Sequence, residues 1–214
     1  MNKTLIATAV AVALMRTASA TEVLSFGQAV AGANPIMGTE ANGVTTIIAV
    51  NAPISVTSCF GCGPLTTPQT FDMTAVSTGT AKTFDGFVIQ GFKGTFSIMQ
   101  GSTDILSGTF SDAIFGAGNS LVLSASDAVS GQSVKFTGGE PSILALFEPQ
   151  AMSLSFADVQ PIITLKDGSI STFASSVAGT FSASPVAAIP EPGMWGLLMM
   201  GLSGLGWNWW RRRK

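Results

Sequence analysis

Cys59 and Cys62 form a Cys-x-x-Cys motif, the only constellation of residues in the sequence with inherent reactivity. This spacing suits a redox pair, half of a zinc site or a small structural disulfide. A zinc site needs two more Cys or His ligands, and the sequence has no other cysteine and no histidine. The motif lies in a loop rich in glycine, proline and threonine, not at the start of a helix as in thioredoxins. We expect a structural Cys59–Cys62 disulfide in an oxidising compartment; a redox pair and two free thiols remain the alternatives.

Catalytic side chains are scarce. Without histidine, neither a Ser-His-Asp triad nor a Cys-His pair can form. The carboxylates of Asp104, Asp112, Glu140 and Glu148 leave open a glycosidase-like pair. The turn at Asp167-Gly168 lacks the other spaced acidic ligands of a calcium loop. We therefore expect no enzymatic activity, no cofactor and no metal, with a two-carboxylate polysaccharide hydrolase as the less favoured alternative.

The charges are divided unevenly along the chain. Residues 21–189 contain four lysines and eleven acids, so this part has a net charge near −7. An acidic surface of this kind repels phosphate backbones, and we expect no binding to nucleic acid. The last four residues are all basic: Arg211, Arg212, Arg213 and Lys214.

The first 20 residues have the features of a signal peptide. Lys3 supplies the positive charge, and residues 5–15 form an apolar stretch of eleven residues. Such a stretch is shorter than the roughly 20 residues that a helix needs to cross a bilayer. Ala18 and Ala20 are the small residues that signal peptidase accepts, so we expect cleavage after Ala20.

The C-terminal end combines three features in a fixed order. Pro190-Glu191-Pro192 precedes the apolar residues 193–210, which are followed by the basic tail. A helix of that length rises about 27 Å, close to the thickness of a bilayer's hydrocarbon core. The sequence therefore predicts one transmembrane helix, with the basic tail held in the cytoplasm and residues 21–189 outside. The residues expected to anchor this helix are Trp195, Leu197, Leu198, Trp207, Trp209 and Trp210.

This end closely resembles the PEP-CTERM sorting signal of Gram-negative bacteria. The resemblance covers residues 190–214, and Asn208 in the apolar stretch is a mild departure from it. It implies that Pro190, Glu191 and Pro192 form a sorting motif recognised by exosortase, an integral-membrane cysteine protease expected to act as a transpeptidase. It also implies a transient anchor in the inner membrane and an association with exopolysaccharide, biofilm or floc formation. A plain single-pass anchor without processing is the alternative.

The central residues 21–185 show no helical apolar stripe, but several runs alternate apolar and polar side chains with period two. Turn signals such as Ser130-Gly131 separate these runs about every ten residues. This pattern predicts an all-β domain, an antiparallel β-sandwich or barrel. The positions expected to face the core are Phe92, Phe96 and Ile98; Leu121, Leu123 and Ala125; Val134 and Phe136; Met152, Leu154 and Phe156; and Val177, Gly179 and Phe181.

The tetrapeptide Gly-Thr-Phe-Ser occurs three times, at residues 94–97, 108–111 and 179–182. No sustained period connects the three copies, which argues against a solenoid. We expect them to be the starts of similar strands.

Three parts are therefore expected: a signal peptide (1–20), a β-rich exported domain (21–185) and a sorting region (186–214) with a linker, the Pro-Glu-Pro motif, the helix and the basic tail. Together with the resemblance, they predict a non-enzymatic protein that is processed by exosortase and reaches the cell surface or the extracellular matrix. A carbohydrate-binding module is the alternative. The central part has no tryptophan or tyrosine, the side chains that stack best on sugars.

Overall fold

The chain folds into antiparallel β-strands, as the alternating pattern predicts. The computed structural model describes residues 20–30, 32–66, 68–85, 87–117, 121–139 and 147–185, and no helix occurs in them. The thirteen strands are β1 (Thr21–Gln28), β2 (Ile36–Ala41), β3 (Val44–Cys59), β4 (Gln69–Ser77), β5 (Lys82–Phe84), β6 (Phe87–Gln100), β7 (Thr103–Ala117), β8 (Leu121–Ser126), β9 (Ser133–Phe136), β10 (Phe147–Gln160), β11 (Leu165–Lys166), β12 (Ser169–Ile170) and β13 (Phe173–Pro185).

Eight of these strands form a closed ring. Their hydrogen-bonded order is β6, β4, β3, β1, β13, β10, β8 and β7, and β7 pairs back onto β6. Because every strand of the ring has a neighbour on both sides, the sheet leaves few unpaired edges. Of the two predicted arrangements, a closed ring corresponds to the barrel.

Two gaps in the ring are filled by short strands. β3 is longer than its neighbour β1, so residues 54–59 of β3 pair with β1 and residues 44–49 pair with β2. In the same way, residues 108–111 of β7 pair with β9, and residues 114–117 of β7 pair with β8. Each long strand therefore contacts two shorter ones in succession.

Three long strands contain an Asn or Asp in the left-handed backbone region. These residues are Asn51 in β3 (φ 48°), Asp112 in β7 (φ 52°) and Asp158 in β10 (φ 52°). The register of β3 shifts at Asn51 and that of β10 shifts around Asp158. Bulges of this kind bend a strand and increase its twist, which allows the sheet to curve into a ring.

The interior of the ring is filled mainly by phenylalanine rings in two groups. Phe181 stacks on Phe96 with ring centroids 4.6 Å apart, and Phe26, Phe71 and Phe136 complete this group. In the second group Phe115 contacts three other rings: Phe92, Phe156 and Phe173. All the positions that the sequence predicts to face the core are buried.

The Gly-Thr-Phe-Ser copies are not strand starts, which corrects that expectation. They lie in the middle of β6, β7 and β13. In the β6–β7 pair, Gly94 lies opposite Phe110 and Gly108 lies opposite Phe96. A Cβ added at Gly108 would lie 2.6 Å from Cζ of Phe96, so the absence of a side chain makes room for the ring. The tetrapeptide thus recurs because its glycine leaves room for a buried phenylalanine ring of the neighbouring strand.

Among the described residues, no helix is long and apolar enough to cross a membrane. The helix predicted for residues 193–210 lies outside the described part of the chain.

Candidate functional site

Both ends of the β-domain lie at the same end of the ring, which we call the terminal end (Thr21, Cys59 and Pro185). Thr21 of β1 pairs with Ala183 of β13. Pro185, the last residue of β13, lies opposite Phe147 of β10. The first strand therefore begins directly after the expected signal-peptide cleavage position, beside the strand that leads to the sorting motif.

The distance between the β-domain and the sorting motif is limited by the chain itself. Only five Cα–Cα steps separate Pro185 from Pro190. At 3.3–3.6 Å per residue, the motif lies at most about 18 Å from the end of β13. Any enzyme acting at Pro190–Pro192 therefore works close to the terminal end of the domain.

The disulfide loop lies at this same end. Cys59 ends β3 and is bonded to Cys62, with 5.6 Å between their Cα atoms. The amide of Phe60 donates a hydrogen bond to the carbonyl of Val23, so the loop is attached to β1. The predicted pair is thus a short loop closure next to the first strand.

A cavity of about 230 Å³ opens beside the disulfide loop. Its lining combines Leu24, Leu65 and Leu106 with the carboxylate of Asp104. One oxygen of Asp104, Oδ1, accepts a hydrogen bond of 2.8 Å from the Ser107 hydroxyl.

The candidate catalytic acids are not gathered at this cavity. Asp104 and Asp112 lie on the same strand, eight residues apart, which corresponds to about 26 Å in an extended chain. A glycosidase pair needs carboxyl groups roughly 5–9.5 Å apart, so these two cannot form one. Glu148 is exposed, and Glu140 lies outside the described residues. The part of the chain that the structure describes contains no group of three or more acids or cysteines that could hold a metal ion.

An ion pair that the sequence reasoning missed lies at the opposite end of the ring. The buried carboxylate of Glu40 in β2 accepts a bond from Lys166 Nζ at 2.6 Å and another from the Gly43 amide at 3.0 Å. The Lys166 ammonium, and next the Gly43 amide, lower the pKa of Glu40, and the carboxylate in turn raises the pKa of Lys166. The sequence did contain a signal that Glu40 is buried. Glu40 occupies an inward position of the alternation that begins with Ile36 and Gly38.

Buried polar side chains fasten the β11–β12 hairpin to the same end. Gln90 Nε2 donates to the Ser169 hydroxyl at 2.8 Å, and Gln90 Oε1 accepts from the Ile170 amide at 3.1 Å. Thr45 Oγ1 donates to the Ile170 carbonyl at 2.6 Å. Because these groups satisfy one another away from water, the hairpin is held as part of the fold.

The remaining predicted site residues lie outside the described part of the chain, apart from Ala20, which is exposed. They are Ala18, Pro190, Glu191, Pro192, Trp195, Leu197, Leu198, Trp207, Trp209, Trp210, Arg211, Arg212, Arg213 and Lys214.

Comparison with known proteins identifies the C-terminal end. The family model of the PEP-CTERM protein-sorting motif matches residues 188–213. No curated protein and no solved structure matches the chain. This motif directs a protein to exosortase after export, through a transient membrane anchor. Residues 188–213 of the chain are therefore a PEP-CTERM sorting motif, which implies an exported protein that is targeted to exosortase.

Proposed function

We propose that the β-domain is a non-enzymatic component of the cell surface or extracellular matrix, released from its membrane anchor by exosortase and associated with exopolysaccharide in biofilm or floc. The observation that carries this proposal is the position of the two ends of the β-domain. Thr21 and Pro185 both lie at the terminal end, and the sorting motif follows within a few residues. A cut there would separate the folded ring from the anchor without crossing any strand.

The surface of the ring supports a structural role. Outward positions of the strands carry mostly serine and threonine, and acids outnumber lysines by eleven to four in residues 21–189. A net charge of this size keeps a protein soluble and discourages binding to phosphate polymers. The separation of Asp104 from Asp112 also argues against the hydrolase alternative.

The sorting part of the proposal is tested by two changes in the tail. Glu191→Gln alters the Pro-Glu-Pro motif, and deletion of residues 211–214 removes the basic tail. Both should leave the β-domain folded and reduce the amount of processed protein, measured by intact mass of the material recovered from the cell surface and the medium. Glu148→Gln, an exposed acid in β10, is the matched control and should be processed normally.

The matrix part is tested by deleting the gene in the producing bacterium and scoring aggregation and matrix yield. Loss of aggregation that is restored by the native chain and not by the Glu191→Gln chain would support the proposal. If the protein is recovered at full length from the cytosol with Met1 still present, both parts of the proposal are wrong.

A further inference from the structure

A shallow groove crosses the outer face of four neighbouring strands, β3, β4, β6 and β7, and reaches Thr137, which directly follows β9. Its volume is about 430 Å³, within the usual range of ligand sites. Most of the exposed side chains that line it are hydroxyls, together with one carboxylate and Val50. We call it the hydroxyl groove, and its side chains are Asp72, Thr74, Thr95, Ser97, Ser107, Thr109 and Thr137.

Strand register arranges these side chains in two straight rows. In the first row Thr74 lies opposite Thr95, and Thr95 lies opposite Thr109. In the second row, two positions along each strand, Ser97 lies between Asp72 and Ser107. The amide of Thr137, the residue directly after β9, donates to the Ser107 carbonyl at 2.7 Å and extends this row by a fourth position. Neighbouring strands are about 4.8 Å apart, so the first row presents its three hydroxyls over about 10 Å and the second row its four polar groups over about 14 Å.

The bulge in β3 forms one wall of the groove. The bulge residue Asn51 has a positive φ, and its amide donates to Asp72 Oδ1 at 2.8 Å. Val50, beside it, is 66 % exposed and lines the groove. Bulges often occur next to binding sites because they redirect side chains out of the regular sheet. The groove is therefore a consequence of the irregular strand and not of a flat sheet surface.

The hydroxyls of the first row are available to a ligand. The Thr74, Thr95 and Thr109 side chains are exposed and form no hydrogen bond with any described residue. Each hydroxyl can donate one hydrogen bond and accept two. Aligned donors and acceptors of this kind suit a ligand that itself carries regularly spaced hydroxyl groups.

From this geometry we propose that the hydroxyl groove binds a neutral polysaccharide chain that runs across the strands. The proposal rests on the matrix role given above and names the surface and the ligand class. No lysine or arginine lines the groove; Lys135 lies beside it, opposite Thr109, so an anionic chain would find this cation only at the edge of the first row. The acidic domain as a whole would repel an anionic chain. A peptide would find Val50, and Ile48 opposite Thr74, as apolar anchors on β3 alone. A neutral glycan can pair its hydroxyls with both rows and its C–H faces with threonine methyls.

The size of the effect follows from the same contacts. A hydrogen bond that replaces bonds to water contributes little, so a single sugar should bind too weakly to detect. A polysaccharide chain that contacts several strands forms several such hydrogen bonds at once, so its apparent affinity should increase with chain length. The proposal therefore concerns a polymer and not a monosaccharide.

The test is affinity gel electrophoresis of the processed protein in gels that contain hydroxyethylcellulose or dextran as neutral chains, or alginate as an anionic one. The native protein should be retarded by at least one neutral polymer and not by alginate. In the groove variant Thr74→Val, Thr95→Val and Thr109→Val keep the shape of the side chains and remove the hydroxyls. Its apparent dissociation constant should rise about tenfold or more.

The control variant removes three outward hydroxyls from the opposite side of the ring, at Ser25→Ala, Ser153→Ala and Thr180→Val. Thr180 lies opposite both Ser25 and Ser153, so the control row has the same geometry. It should bind like the native protein, and thermal unfolding should show that both variants fold.

Equal weakening in the two variants, retardation by alginate alone, or no retardation by either neutral polymer would overturn the proposal. The assay does not depend on processing, because the full-length chain in detergent can be run in the same gels. Failure of binding is therefore distinguishable from failure of the matrix role.

Discussion

The ring of Phe96 lies over the backbone of Gly108, the residue directly opposite it on the neighbouring strand. The same relationship occurs in reverse between Phe110 and Gly94, and again between Phe26 and Gly179 of β13. Buried rings can approach the sheet this closely only where the opposite residue has no Cβ. The repeated tetrapeptide is thus a packing device used at three places in the ring.

We expect Gly108→Ala to destabilise the fold. The new Cβ would lie 2.6 Å from Phe96 Cζ and 2.8 Å from the Lys135 carbonyl oxygen, and overpacking of this kind costs about 1–3 kcal/mol. Gly116→Ala in the same strand is the control, because no atom lies within 4 Å of its added Cβ. Urea unfolding should show a loss for Gly108→Ala and little change for Gly116→Ala.

A second substitution separates the ring contact from the backbone contact. If Phe96 is the main obstacle, Phe96→Leu combined with Gly108→Ala should cost less than the sum of the two single changes. Additive costs would mean that the ring and the added methyl do not interact.

The bulges explain how much of the fold could be predicted from the sequence. In β7 the buried positions Leu106, Gly108 and Phe110 alternate regularly, but the next are Ala113 and Phe115, because Asp112 inserts one residue. In β3 the insertion at Asn51 breaks the alternation in the same way. The pattern therefore predicts strands and their inward faces correctly, yet divides a long strand into two short runs.

The outcome for the sites was different. The Cys59–Cys62 pair is local, and four residues of sequence contain all the information needed to propose it. The hydroxyl groove depends on the pairing of β4, β6 and β7, and no single strand reveals it, since exposed Ser and Thr are ordinary in any sheet. Likewise the Glu40–Lys166 ion pair joins residues 126 positions apart.

The left-handed conformation of Asp112 leads to a test of the bulge in β7. Its φ of 52° disfavours most side chains, with a penalty of roughly 1–2 kcal/mol for L-residues. We expect Asp112→Ala to lower the free energy of unfolding by about 1 kcal/mol. Asp112→Gly, which removes the same carboxylate, should be close to neutral because glycine adopts this φ readily. Equal losses in chemical denaturation would show that the carboxylate, and not the backbone, matters at this position.

The Glu40–Lys166 ion pair should make stability depend on pH. The pKa of Glu40 is lowered by Lys166 and by the Gly43 amide, so its contribution is present above its ordinary value of 4.5 and is lost as the pH falls through the folded-state pKa. The pKa of Lys166 is raised, so its contribution is present below 10.5 and is lost as the pH rises through its folded-state pKa.

The variant Lys166→Met leaves the Glu40 carboxylate buried without its cation. It should be less stable than the native chain at neutral pH, and thermal unfolding should show this difference shrink as the pH falls below 4.5 and through the lowered pKa of Glu40. Lys93→Met removes the same charge from an exposed position and should show no such trend. A difference that stays constant across the acid range would contradict the role given to the ion pair.

The short connection between Pro185 and Pro190 makes processing sensitive to length. Deleting residues 186–188 would leave the sorting motif at most about 7 Å from the end of β13. The terminal end of the ring, with its disulfide loop, would then obstruct a membrane enzyme that must reach Pro190–Pro192. We expect the deletion to leave most of the protein at full length, whereas six added Gly and Ser residues should leave processing unchanged, because flexible linkers of this kind extend the reach. Intact mass of the membrane and released fractions measures both variants. Normal processing of the shortened chain would show that the enzyme does not approach from the side of the domain, and that the nearness of Thr21 and Pro185 has no bearing on release.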